Sequence, residues 1–195
     1  MTVASIRVAD DGVARCAWVG ADPVYAAYHD DEWGVELRGD RPLFEKLTLE
    51  AFQSGLSWIT ILRRRDGFRR AFHAFDWARI AAYDDGDVTR LMSDEGIIRN
   101  RAKITATLAN ARVLTEWLSV DPGGLDALIW SHQPAPRRER LAALADVPAQ
   151  TAESRALASA LKQRGLRFVG PTTAYALMQS AGLVDDHVVG CWRAR

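Results

Sequence analysis

Apolar positions recur every three or four residues through most of this chain, and runs alternating every second residue are nearly absent. That period belongs to amphipathic helices and not to half-buried strands. Residues 42–54 (PLFEKLTLEAFQS) open on a proline suited to a first helical turn, where a missing N–H costs nothing. Residues 58–75 predict a further helix, broken near Asp66-Gly67. A short helix over 84–92 and a long amphipathic one over 100–118 follow, and residues 153–164 and 171–181 form a helical pair around a short connection. The expected fold class is all-α. Residues 1–14 lack any helical period and are expected to form a flexible tail, leaving 15–195 as one helical domain.

A chain of 195 residues suits one compact domain with a substantial core. No apolar run approaches the ~18–20 residues a membrane span requires. The stretch MTVASIRVADDGVAR lacks the apolar centre of a secretory signal, so a cytosolic location without membrane association is expected. Thiols stay reduced there, which disfavours a Cys16–Cys191 disulfide and favours metal binding. Net charge is +0, so the whole-molecule field does not advertise nucleic-acid binding. Basic residues nevertheless cluster in Arg63–Arg65 with Arg69 and Arg70, in Arg99/Arg101/Lys103, in Arg137/Arg138/Arg140 and in Lys162/Arg164/Arg167. A neutral total can hide a basic face, although any one cluster is more often ordinary helix surface.

Each of the two cysteines has a histidine nearby, one pair at each end of the chain. Cys16 and His29 stand thirteen positions apart, and His187 and Cys191 four apart, the latter fitting one helical turn or a tight loop. Two thiolates and two imidazoles complete a tetrahedral shell for zinc. Buried cysteine as a small hydrophobe and histidine as a structural residue explain each position separately, and by spacing alone the two explanations stand level. Four protein ligands leave no open position, so such a zinc would be structural. Closing so long a loop is worth ~4–5 kcal/mol by analogy with a covalent crosslink.

Trp18, Tyr25, Tyr28 and Trp33 crowd the first metal pair, with Tyr25 and Tyr28 on one helical face. In LTLEAFQSGLSWITIL, Glu50 falls three residues after Leu47 and seven after Leu43, a core position carrying a carboxylate. A buried carboxylate needs a cation or hydrogen-bond donors. An internal arginine would serve, and so would a flat, electron-poor ring stacked among aromatic side chains that include Trp58. For the aromatics alone core packing is the commoner explanation, and their proximity in sequence to Glu50 and to the Cys16/His29 pair is what favours a pocket.

Near the C-terminus, LRFVGPTTA resembles the hairpin LPGVGxxTA of helix-hairpin-helix DNA-binding proteins, with Phe168 where the general motif has its first glycine. Gly170 is expected to permit a turn that Cβ would obstruct, and Pro171 starts the next helix. The exposed amides of that turn can hold a DNA phosphate, flanked by Lys162, Arg164 and Arg167.

Taken together, CAWVGADPVYAAYHDDEWG, LFEKLTLEAFQSGLSWITIL, GIIRNRAKI and LRFVGPTTAYALMQSAGLVDDHVVGC, in that order, resemble the DNA-3-methyladenine glycosylase I family of the helix-hairpin-helix superfamily. The resemblance runs from about Cys16 to Cys191. It implies a helix-hairpin-helix glycosylase fold with the hairpin at residues 165–171, and a structural Zn²⁺ on Cys16, His29, His187 and Cys191 tying the N- and C-terminal segments together. It further implies a base pocket of Trp18, Tyr25, Tyr28, Trp58 and Glu50, with Leu56 in the turn 54–57 probing the DNA, and contacts from Lys162, Arg164, Arg167, Gly170, Thr172 and Thr173. The implied activity is base-excision repair: hydrolysis of the N-glycosidic bond of 3-methyladenine flipped out of alkylated double-stranded DNA, by a monomer with no redox or organic cofactor.

Asp185, in VDDH, allows two roles: stabilising the oxocarbenium by charge, or capping a helix or orienting His187, and the second is favoured. Two other functions compete: a non-catalytic zinc-stabilised helix-hairpin-helix DNA-binding module, and a zinc hydrolase, which a closed ligand set disfavours.

Overall fold

The computed structural model describes residues 4–194. Among these, helix dominates, as the apolar period predicts, but the molecule is not all-α. Strands β1 (Ile6–Val8) and β2 (Ala14–Cys16) pair antiparallel with Ile6 opposite Cys16. Three-residue strands are too short to display an alternation, so periodicity alone misses them. The expected tail therefore ends before residue 6; for residues 1–3 that expectation lies outside the described residues. The hairpin is tied to the far end of the chain through Trp192 N–H donating to the Ala14 carbonyl at 2.9 Å.

Helix α1 (Pro23–Asp31) starts at Pro23, and the Asp22 carboxylate caps it by accepting from Val24 and Tyr25 N–H. Helix α2 (Asp40–Gln53) is the central element and buries Leu43, Phe44, Leu47, Leu49 and Phe52. Lys103 Nζ donates to the carbonyls of Phe52 and Ser54, both at 2.8 Å, a cation at the helix C-terminus where unpaired carbonyls collect. The stretch read as one helix with a break at Asp66-Gly67 is instead α3 (Trp58–Leu62), α4 (Arg65–Ala71) and a 3₁₀ turn, His73–Phe75. The break falls at Arg63-Arg64. Gly67 lies inside α4 because the chain crosses there: a Cβ would sit 2.2 Å from the Gly96 carbonyl oxygen.

Helices α5 (Trp77–Ala81) and α6 (Asp85–Ser93) pack against the long α7 (Arg101–Val120). Helix α8 (Gly124–Trp130) is anchored to α2 by Asp40, whose carboxylate accepts from the N–H groups of Gly123 and Asp126. Helices α9 (Ala152–Gln163) and α10 (Pro171–Ser180) form the expected pair, and α10 packs back onto α2. One continuous core joins Phe52, Phe68, Phe72 and Phe75 with Tyr175 and Met178. Among the described residues no helix is long and apolar enough to cross a membrane.

Candidate active site and metal centre

Where α2 and α10 meet, Glu50 lines a cavity of about 330 Å³. Trp18, Tyr25, Tyr28, Trp33 and Trp58 line it, with Gln53, Gln179 and Asp186. The four aromatic residues expected around Glu50 thus share one cavity with it. Tyr28 and Trp58 stand 5.4 Å apart between ring centroids, and Trp18 meets Tyr25 edge-on at 4.9 Å. Trp58 Nε1 is buried without a partner, a donor that a ligand acceptor would satisfy. Burial pushes the Glu50 carboxyl up to about 7, against the opposing effects of the Lys46 charge and the Ser180 hydroxyl.

Gln179 and Asp186 were not singled out from sequence. Asp186 is fully buried and accepts from Tyr175 Oη at 2.6 Å, from Gln179 Nε2 at 2.8 Å and from Arg137. A carboxylate only accepts, so this bond fixes which end of the Gln179 amide faces Asp186. Asp185 points elsewhere: it accepts from His187 Nδ1 at 2.8 Å and from Arg140 at 2.9 Å. It does not line the cavity. In a VDDH stretch neighbouring carboxylates diverge, and sequence alone does not say which one turns inward.

Cys16, His29 and Cys191 bring their ligand atoms within 4.8 Å of one another, all buried, in an arrangement able to hold a metal ion. Cys191 Sγ lies 3.4 Å from His29 Nε2. His187 stands beside this cluster, its ring 5.0 Å from that of His29, with Nε2 buried and without a partner. Both histidines engage a carboxylate through Nδ1, His29 with Asp30 and His187 with Asp185, each at 2.8 Å. The carboxylates can only accept, so Nδ1 carries the proton and Nε2 keeps the lone pair a metal requires. Asp30 is itself held by Arg15 Nε and Nη2 and by Trp192 Nε1; despite burial these bonds bring its carboxyl down to about 2. Gly34 makes room: a Cβ there would lie 2.9 Å from His187 Cε1, and φ is +75°. The hydrogen bond between the two cysteines raises Cys16 and lowers Cys191.

The Cys/His cluster and the cavity share a wall. Trp18 lies 5.3 Å from the His29 ring and Trp33 lies 4.5 Å from that of His187.

The hairpin after α9 turns at Gly165, φ +95°, and continues through Phe168, φ +57°. Phe168, where the general motif has glycine, adopts the left-handed conformation glycine favours. Gly170 differs from expectation: its φ is −71° and a Cβ would meet nothing within 4 Å, so no contact inside the protein demands glycine there. Buried Asn110 clamps the turn, accepting from Arg167 N–H at 2.7 Å and donating to the Arg167 carbonyl at 3.1 Å. Lys162, Arg164, Arg167 and Thr172 are exposed, Thr173 half-buried, and Arg164 stacks over Trp117. Leu56 protrudes from the turn between α2 and α3, 41% exposed. The Arg63–Arg70 cluster is less available than its composition implies, since Arg63, Arg65 and Arg69 pair with Asp22, Glu32 and Glu45.

A helical scaffold that sets an aromatic and carboxylate cavity beside a Cys/His cluster defines a class, and comparison with known proteins names it. The family model for methyladenine glycosylase matches residues 18–194, and the chain belongs to that family of enzymes. It is 47% identical over 182 residues to DNA-3-methyladenine glycosylase 1 of Escherichia coli (strain K12), covering 91% of this chain and 95% of that protein. A crystal structure of 3-methyladenine DNA glycosylase I superposes with a TM-score of 0.88 at 46% identity, over 93% of this chain and all of that one. A Tyr-to-Phe variant of 3-methyladenine DNA glycosylase I, solved with 3-methyladenine, superposes with a TM-score of 0.85 at 30% identity, covering 93% and 97% of the two chains.

Proposed function

We propose that this chain removes 3-methyladenine from alkylated double-stranded DNA by hydrolysing its N-glycosidic bond. The observation that carries this is the buried carboxylate of Glu50 in a cavity walled by Trp18, Tyr25, Tyr28 and Trp58. Methylation at N3 makes the base cationic and already a good leaving group, so no general acid is needed. The protein must instead reach, hold and discriminate the base. Flipping is easiest for a damaged base, whose stacking and pairing are weakened. In the cavity the rings stack on its faces, and Glu50 accepts its N–H groups or balances its charge. A cation beside Glu50 favours the ionised carboxylate and so opposes the upward push of burial. A neutral base lacks that contribution, which makes selectivity electrostatic.

Leu56 fits a role at the gap left by the flipped nucleotide, and the hairpin a role on the phosphate backbone. The N–H groups at the start of α10, the open space at Gly170, and Lys162, Arg164 and Arg167 support phosphate contacts. Asp185, bonded to His187, acts on the metal site and takes no part in the reaction.

The donor set suits zinc: two thiols, two Nε2 lone pairs and two carboxylates behind the imidazoles. Cys16, His29, His187 and Cys191 would hold it, and it would supply cohesion alone. Cys16 ends β2, His29 lies on α1 and the other two follow α10, so the ion would join the aromatic wall to the segment behind the hairpin.

Incubating the protein with N-methylated duplex DNA and separating the released bases tests the activity. Free 3-methyladenine is the expected product. Tight binding without release would make the chain a DNA-binding module instead.

A further inference from the structure

Lys46 is buried, 8% exposed, one helical turn ahead of Glu50 on α2, so the two share a face. Its Nζ sits 5.2 Å from the centre of the Tyr28 ring and 5.6 Å from that of Trp58, the two rings that stand together in the cavity wall. Lys46 itself does not line that cavity. It lines a separate groove on the other side of the wall, with Glu32, Glu45, Arg65 and Arg69. The acidic groups there are already engaged: Glu32 pairs with Arg65, and Glu45 with Arg69. Among the described residues Lys46 makes no ion pair of its own, so its charge acts across the wall.

We propose that Lys46 is a positioning residue whose charge, delivered through the wall of the cavity, biases Glu50 toward its ionised form for a cationic base. The inference rests on Glu50 being the group that receives the base. A fully buried carboxylate with no cation nearby would be protonated at neutral pH and could not balance a positive ring. The Lys46 charge is the largest influence opposing the burial of Glu50, and Glu50 is in turn the largest influence keeping Lys46 charged against its own burial.

Other groups facing the pair do not replace it. On the α1 side are Tyr25 and Tyr28, both pushed up by burial and by the Glu50 charge, and so neutral. From α10 come the Ser180 hydroxyl and the Gln179 amide, and Asp186 is committed to Arg137 and Tyr175. Around Lys46, Arg65 disfavours its charge, while Glu32 and Glu45 favour it less than Glu50 does. The cation behind the rings thus prepares the carboxylate before any base arrives.

The test compares wild type with Lys46→Met and Lys46→Arg by two readouts. One is the ¹³Cδ titration of Glu50 in the DNA-free protein, assigned by its loss in Glu50→Gln. The other is the pH profile of single-turnover 3-methyladenine release. In Lys46→Met the Glu50 titration should move up by about one pH unit, and the acid limb of release should follow it. Lys46→Arg, which keeps the charge, should restore both. A folded Lys46→Met whose Glu50 titrates where it does in wild type overturns the proposal. A titration that moves while the acid limb stays still supports the role of Lys46 and removes Glu50 from base recognition, so the two failures are distinct. Should Lys46→Met not fold, the reciprocal measurement decides. Glu50→Gln must lower the pH at which Lys46 ¹⁵Nζ titrates, and an unchanged value overturns the coupling.

Discussion

The Tyr175 hydroxyl donates to Asp186 Oδ2 at 2.6 Å, and Gln179 Nε2 reaches the same oxygen at 2.8 Å, so one buried carboxylate organises the α10 wall of the cavity. Its neighbour Asp185 faces His187 beside the Cys/His cluster instead. The adjacent acids therefore separate by experiment. Asp185→Asn should leave base release near wild type while lowering metal affinity about 10- to 100-fold, read by competition with a chelator. A fall in release of several orders with metal retained would make Asp185 catalytic.

Asp186→Asn removes the negative charge that Arg137 pairs with and replaces one of the two acceptor oxygens used by Arg137, Tyr175 and Gln179 with an NH2 donor. Arg137 is partly exposed, which softens the loss, so about 2–3 kcal/mol of stability should go. Chemical denaturation checks this. Binding of free 3-methyladenine should weaken with it, because Gln179 loses the contact that sets its amide.

Glu50 carries a signature in stability against pH. Its carboxyl is raised in the folded protein, from 4.5 to about 7. Between those values the unfolded chain has released the proton that the folded protein still holds, so folding loses stability as pH rises. Relative to Glu50→Gln, wild type should lose roughly 3 kcal/mol between pH 4.5 and 7 and little more above it. Denaturation of both proteins across that range measures it, and parallel curves would contradict a raised Glu50. Glu50→Gln should also bind the product base more weakly, and unchanged binding would take Glu50 out of the pocket.

Elemental analysis of the native protein should find one zinc per chain, and stripping it should lower the melting temperature. Gly34→Ala reaches the same site from inside. Its Cβ would fall 2.9 Å from His187 Cε1 at a positive φ, so His187 must move. Reduced zinc retention is expected, with the pocket disturbed through Trp33. A folded protein that contains no metal by elemental analysis and is fully active would defeat the structural role.

At the hairpin, Phe168 holds φ +57° while 43% exposed. Phe168→Gly should keep stability within about 1 kcal/mol, since relief of the left-handed strain offsets the freer unfolded chain. Phe168→Val should cost more than about 1 kcal/mol, because a β-branched residue fits that conformation poorly. Thermal unfolding of the two variants orders them.

The sequence by itself determined the helical class, because a period near 3.6 records which face of each segment leaves water. It also supplied the candidates for the site: Glu50 at a core position, the rings near it and a Cys/His pair at each chain end, each of which packing explains when read singly. Much else needed the tertiary structure. Strands β1 and β2 are three residues long and are tied to the opposite end of the chain through Trp192, and so left no local pattern. Lys46 reads as ordinary helix surface until α1 and α3 bury it behind Tyr28 and Trp58. Asp185 and Asp186 are the same residue type in one tripeptide, and only the path of the chain after α10 turns one toward the metal cluster and the other into the cavity. Periodicity reports burial along one element, whereas orientation and charge coupling arise between elements distant in sequence.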